Sequence, residues 1–278
     1  MIKRIYFLTA EIIPFAESYN LASFSKEIPV VFNERKYDFR LMMPKYGFIS
    51  ERRYILREVI RLREMDLQYC GEQIKASVKS AFIPNTKVQV YFLEHPYLYN
   101  SADDNLYPID CESDECLNSV RFGYFASAAL ITLNYLRWKP EIIICNDWQM
   151  SLIPLLIKSN LLDREYFDGV KILQIVHSKN PRSNFELQEY QKIGLNMDDL
   201  KNSANGHLDV LAAAIPVCDH VLVINKGENL LEKYQKDPLF GEIIKRDRKK
   251  FSSYELKGES SEDWQNLADE IVNIMERL

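Results

Sequence analysis

Glycine is scarce in this 278-residue chain, with nine residues where about 7% would be average. They are scattered, so neither G-x-G-x-x-G nor G-x-x-x-x-G-K-[ST] can be written anywhere. That excludes the Gly-rich dinucleotide fingerprint and the P-loop. Cysteine is sparse and odd in number: Cys70, Cys111, Cys116, Cys145 and Cys218 are spread without a C-x-x-C pair. The pattern suits a reducing compartment, gives no zinc signature and leaves Cys111 and Cys116 as loop thiols. No histidine has a partner at metal spacing, so neither a metal nor a cofactor is expected. Long apolar runs are missing as well. The run at 5–13 is broken by Glu11 and lacks a small-residue cleavage site, so it reads as neither membrane span nor signal peptide. A basic excess is also lacking, because Lys+Arg 35 stand against Asp+Glu 40, a formal net charge of −5. Nucleic-acid and anionic-membrane surfaces need the opposite balance. A cytoplasmic protein is the expectation.

What is present is an ordinary globular composition, 47% hydrophobic and 27% charged, long enough for a substantial core. Short runs rich in β-branched and aromatic residues recur at 5–9, 39–43, 88–93, 142–145, 172–176 and 221–224, the pattern of buried parallel strands. Helix-like stretches at 21–36, 117–136, 150–161 and 208–215 lie between several of them, which predicts βαβ units. The fold class is α/β, a doubly wound, mostly parallel sheet. Pro29 predicts a kink or a restart in the first helix. The alternation over 55–82 predicts an antiparallel hairpin excursion at the sheet edge.

The acidic stretch 101–115 reads as a solvated loop, and the charge-dense run 245–250 as an exposed helix face. The chain closes on a strong helix signal. Ser261 is the expected N-cap, Glu262 and Asp263 favour the first turn, and Trp264, Leu267, Ile271, Ile274 and Leu278 form one apolar stripe. This helix should fold back on the sheet, giving a single domain over 1–278 with a helical extension at 226–278.

Ligands of open α/β sheets bind outside the carboxyl ends of the strands. The residues there are Thr9-Ala10-Glu11, Pro44-Lys45-Tyr46-Gly47, Glu94-His95-Pro96, Asn146-Asp147-Trp148-Gln149, His177-Ser178-Lys179-Asn180 and Asn225-Lys226-Gly227. Asp147 admits two roles, N-cap of the following helix or ligand group. Trp148 reads as a packing anchor or as a stacking face for a sugar ring. His177 is the histidine that ends a strand with polar residues behind it, whereas His95, His207 and His220 read as structural. Ser178 and Ser151 lack the G-x-S-x-G elbow of a nucleophile. These residues define a cleft and leave its reaction open.

Taken together, these segments resemble the N-terminal domain of bacterial glycogen synthases and plant starch synthases, the ADP-glucose-dependent glucosyltransferases of the two-domain GT-B type. The resemblance rests on FLTAEIIPFA (7–16), LASFSKEIP (21–29), MPKYG (43–47), VYFLEHP (90–96), Asn118 with Arg121-Phe122, WKPEIIICNDW (138–148) and Val176-His177. It runs in order over about residues 2–225. It implies a Rossmann-like half of a GT-B fold, with Lys45, Tyr46, Asn118, Arg121, Asp147, Trp148, Gln149 and His177 at substrate-binding positions. Gln149 and His177 lie at family cleft positions, and no residue is assigned a catalytic role.

Three departures accompany the resemblance. The family loop Lys-x-Gly-Gly-Leu is replaced by Glu17, Ser18, Tyr19, Asn20 and Leu21, so a cation becomes an anion and side chains stand where backbone should approach a diphosphate. His-x-His-Asp-Trp-His becomes Ile144-Cys145-Asn146-Asp147-Trp148-Gln149, and glutamine hydrogen-bonds a hydroxyl but carries no proton. About fifty residues follow Gly227, too few for the second sheet domain of the family's complete enzymes. The family reaction is glucosyl transfer from ADP-glucose to an α-1,4-glucan. The departures imply a chain inactive alone or completed by a partner. Two alternatives stand beside that reading: a non-catalytic glucan-binding module with Trp148, Tyr46, Tyr97 and Tyr99 as sugar platforms, and a module that docks protein or self-associates at its open rim.

Overall fold

A computed structural model describes residues 3–100, 106–108, 117–159, 161, 164–196 and 206–278. Cys111, Cys116 and most of the acidic stretch 101–115 lie outside the described residues.

Six strands fall where the apolar runs predict them: β1 (Arg4–Leu8), β2 (Asp38–Pro44), β6 (Gln89–Glu94), β7 (Ile142–Asn146), β8 (Lys171–Val176) and β11 (His220–Asn225). Ile5, Tyr6, Phe7 and Leu8 of β1 are fully buried. Burial on both faces is why these strands read as continuous hydrophobic runs instead of alternating ones. β1 lies between β2 and β7, and both neighbours are parallel to it. With β3 (Arg57–Glu58), β4 (Met65–Tyr69), β5 (Glu72–Phe82) and β12 (Phe251–Glu255) they make one ten-stranded sheet, in the order β12-β11-β8-β7-β1-β2-β6-β5-β3 with β4 beside β5.

The antiparallel excursion is present: β4 and β5 form a hairpin through Cys70 and Gly71, both at positive φ, as the twist of a two-residue hairpin turn requires. β5 then joins the sheet antiparallel to β6. A separate two-stranded ribbon pairs β9 (Asn184–Glu186) with β10 (His207–Asp209).

Helices link the parallel strands. The largest are α1 (Leu21–Glu34) and α3 (Asn118–Leu136), with the single turn α2 (Glu51–Tyr54) between them. α1 continues unbroken through Pro29, so no restart occurs; Ile28, Val31 and Phe32 bury on both sides of the proline and hold the segment by packing. The predicted helix at 150–161 is a 3-10 turn followed by α4 (Leu152–Lys158). α5 (Arg164–Phe167), α6 (Leu187–Lys192), α7 (Val210–Ala214), α8 (Leu230–Lys236) and α9 (Pro238–Arg246) are short.

The region after 226 departs from the expected helical extension, because β12 adds to β11 in parallel beyond α9 and a 3-10 turn at Arg248–Lys250. Only the first part of the 245–250 run is helical; Lys250 turns inward and donates to the Pro216 and Cys218 carbonyls at 2.9 Å. The last helix, α10 (Ser261–Arg277), is capped one residue earlier than predicted. Ser260 accepts from the Asp263 amide, and Asp263 accepts in return from the Ser260 amide. Trp264, Leu267, Ile271 and Ile274 are buried as the stripe predicts. The helix packs on α1, where Arg35 meets Asp269 at 2.6 Å, and the Lys3 ammonium donates to the Met275 carbonyl.

Candidate functional site

The carboxyl ends of β1, β7 and β8 bring Glu11, Asp147, Gln149 and His177 to one place, because these three strands are neighbours in the sheet. All four are buried. Asp147 follows β7 with φ 59° and ψ −174°, a region populated almost solely by glycine and costing about 1–3 kcal/mol. Its amide donates to the Ile175 carbonyl at 2.7 Å. Its carboxylate does not cap the following helix. It turns to the end of β8, where Oδ1 accepts from the His177 and Ser178 amides at 3.1 and 3.3 Å and Oδ2 accepts from the Ser178 hydroxyl at 2.6 Å. Burial pushes the Asp147 carboxyl above the ordinary aspartate value, against the pull of these donors.

The loop between β1 and α1 closes over this constellation. The Tyr19 hydroxyl donates to Asp147 Oδ2 at 2.5 Å and lies 3.1 Å from the Gln149 amide nitrogen. One residue earlier, the Ser18 amide and hydroxyl donate to the two oxygens of Glu11 at 2.5 and 2.6 Å. Tyr107 also donates to Glu11. Burial raises the Glu11 carboxyl, opposed by the bonds from Ser18 and Tyr107. Leu21 is buried and Asn20 sits at φ −58° and ψ −15°, so the segment has begun to coil into α1 where the family pattern has glycines. Glu17 is exposed and lines a hollow of about 350 Å³ with Phe15, Phe48, Arg53 and Tyr54.

His177 stands apart chemically. Its ring packs edge-on against Phe24 with centroids 4.5 Å apart, and neither ring nitrogen has a hydrogen-bond partner among the described residues. Burial alone pushes its pKa down to about 3, so at neutral pH it is an uncharged imidazole with a free donor and a free acceptor.

The remaining predicted residues are spent elsewhere. Lys45 joins Lys79, Glu51 and Glu94 in an ion cluster, with its ammonium 2.9 Å from Glu51. Lys179 pairs with Asp237 at 2.7 Å, and Lys226 pairs with Glu259. Arg121 is buried at the start of α3 and donates to the Leu98 and Leu106 carbonyls at 2.7 and 2.8 Å and to Asn118 at 3.2 Å. Asn118 itself holds the Pro108 carbonyl. Trp148 offers no face to a sugar: it is 1% exposed and enclosed by Tyr107, Phe122 and Phe185. Tyr46 and Tyr99 are equally buried, and of these four aromatic side chains only Tyr97 is exposed, at 67%. His95 accepts from the Tyr97 and Leu98 amides, and His220 bonds Ser252. Tyr107 on Glu11 and Ser178 on Asp147 join this constellation, although Tyr107 lies inside an acidic, aperiodic stretch of sequence that gives no sign of it.

A doubly wound α/β domain with buried carboxylates and a neutral imidazole at adjacent strand ends defines the class: a Rossmann-like unit with these polar groups gathered at the carboxyl ends of β1, β7 and β8. Comparison with known proteins narrows it. The family model for the starch synthase catalytic domain matches residues 4–227, and the chain belongs to that family. Glycogen synthase of Chlorobium chlorochromatii is 32% identical over 192 residues, covering 68% of this chain and 39% of that protein. Glycogen synthase of Chlorobaculum parvum is 27% identical over 275 residues, covering 97% and 55%. Among solved structures, the catalytic domain of Starch Synthase IV from Arabidopsis thaliana bound to ADP and acarbose shares the fold, with a TM-score of 0.74 at 19% identity over 91% of this chain and 51% of that one. The chain thus spans about half the length of the relatives it matches. Among the described residues no helix is long and apolar enough to cross a membrane, and no group of three or more His, Cys, Asp or Glu is placed to hold a metal ion.

Proposed function

We propose that this chain is a glycogen or starch synthase-type domain that keeps a hydroxyl-binding cleft and does not transfer glucose from ADP-glucose unaided. The observation that carries the reading is the state of its cations. Each lysine at a strand end, Lys45, Lys179 and Lys226, is ion-paired with a carboxylate, and the Arg121 side chain donates to two loop carbonyls. Transfer from a nucleotide sugar needs preorganised positive charge on the departing diphosphate. Glu11 and Asp147 place carboxyl groups there instead of cations, and His177, held at about 3, stays neutral. A partner chain, or a further domain, that brings cations to the rim would complete the chemistry.

The test is incorporation of labelled glucose from ADP-glucose into maltoheptaose by the purified chain. Background incorporation is expected, and turnover above it by the chain alone overturns the reading. A docking role for the rim has one observation in its favour, the exposure of Phe48 at 42% and Tyr97 at 67% beside it. Concentration-dependent mass in light scattering, together with absence of maltoheptaose binding, would favour that role over sugar binding.

A further inference from the structure

We propose that Tyr19 is a built-in occupant of the cleft, its phenol holding the place of a sugar hydroxyl on Asp147 and Gln149, and that it decides whether the cleft admits a carbohydrate. The inference rests on the hydroxyl-binding reading above and adds to it the residue that controls access.

Asp147 has four bonds to its carboxylate, of two kinds. Those from His177 and Ser178 come from the two residues that directly follow β8. The one from Tyr19 comes from a partly exposed residue on the loop before α1, so it can leave without disturbing a strand. Gln149 is more dependent still: it is 1% exposed, and among the described residues Tyr19 is the side chain that its amide bonds. A buried carboxylate and a buried amide converging on one hydroxyl form a site for an alcohol that donates to one and accepts from the other. A phenol fits, and so does a sugar hydroxyl. A phosphate fits poorly, since it would meet the Asp147 carboxylate.

The loop is held by a second pin, the Ser18 amide and hydroxyl on Glu11. If the loop swung away with nothing in its place, two buried carboxylates and the Gln149 amide would each lose partners, and leaving such groups unpaired is costly. Opening is therefore coupled to the arrival of a ligand that supplies hydroxyls, and Tyr19 competes with that ligand for the same acceptors.

Tyr19→Phe removes the competing hydroxyl and keeps the ring. Two readouts test it, both on the full chain. Hydrogen exchange in the peptide covering Ser18 to Ala22 should speed up in Y19F with no ligand present. In calorimetric titration, maltoheptaose should bind Y19F at least about tenfold more tightly than the unsubstituted chain, the scale of one hydrogen bond to a charged group. Unchanged exchange overturns the proposal, and so do equal affinities or silence in both proteins. Equal, saturable affinities would overturn the role of Tyr19 and leave the hydroxyl-binding cleft standing, whereas silence in both proteins would overturn the cleft along with it.

Discussion

Asp147 combines backbone strain with four side-chain hydrogen bonds. Its positive φ would be relieved in glycine, but its carboxylate is the acceptor for two amides and two hydroxyls. Asp147→Gly and Asp147→Ala both lose the carboxylate, and only glycine recovers the strain. We therefore expect Asp147→Ala to be less stable than Asp147→Gly by about 1 kcal/mol or more in urea denaturation. His177 makes a pH prediction. Its folded pKa of about 3 lies below the 6.5 of the unfolded chain, so its contribution to stability is complete above pH 6.5 and drains away as pH falls toward 3. Between pH 6 and 4, the unsubstituted chain should lose stability more steeply than His177→Phe, by up to about 1.4 kcal/mol per pH unit. Asp209, raised to about 6 by burial, acts in the opposite direction but equally in both proteins, so it cancels from the comparison. At this scale the sequence marks which residues stand at strand ends and hides their directions. Asp147 is legible as a candidate. Its turn to Ser178, and the reach of Tyr19 across 128 positions of sequence, are spatial facts that no spacing encodes.

Elements are legible where burial is two-sided. β1 and β7 announce themselves because nothing charged or amide-bearing interrupts Ile5 to Leu8 or Ile142 to Cys145, and β8 does so although the buried Gln174 interrupts its run. β12 does not, since FSSYE is short, polar and half-exposed at the sheet edge, and the basic run before it resembles a helix face. α10 is the converse case, with both its stripe and its first turn written locally, although the cap is Ser260 and not Ser261. Two substitutions separate these contributions in denaturant titrations. Ser260→Ala should cost about 1 kcal/mol by removing the cap. Ile271→Ala should cost about 2–5 kcal/mol by leaving a cavity against the sheet domain, because Ile271 is fully buried. Equal and small losses would mean that α10 is not docked on α1 as described.

Over the whole molecule, the net charge of −5 and the pairing of the strand-end lysines both support the proposed reading of the rim as a site for hydroxyls. The family resemblance identifies the rim from sequence, through motifs spread from β1 to β8, and the altered loop at Glu17 to Leu21 marks where it has changed. That loop reads as an obstacle to phosphate. Only the folded arrangement turns it into an occupant, with Ser18 on Glu11 and Tyr19 on Asp147. The most direct test is calorimetric titration of the purified chain with ADP-glucose. The account predicts no saturable heat. Saturable one-to-one binding would contradict it, because a nucleotide diphosphate would then be held at a rim whose strand-end lysines are ion-paired with carboxylates.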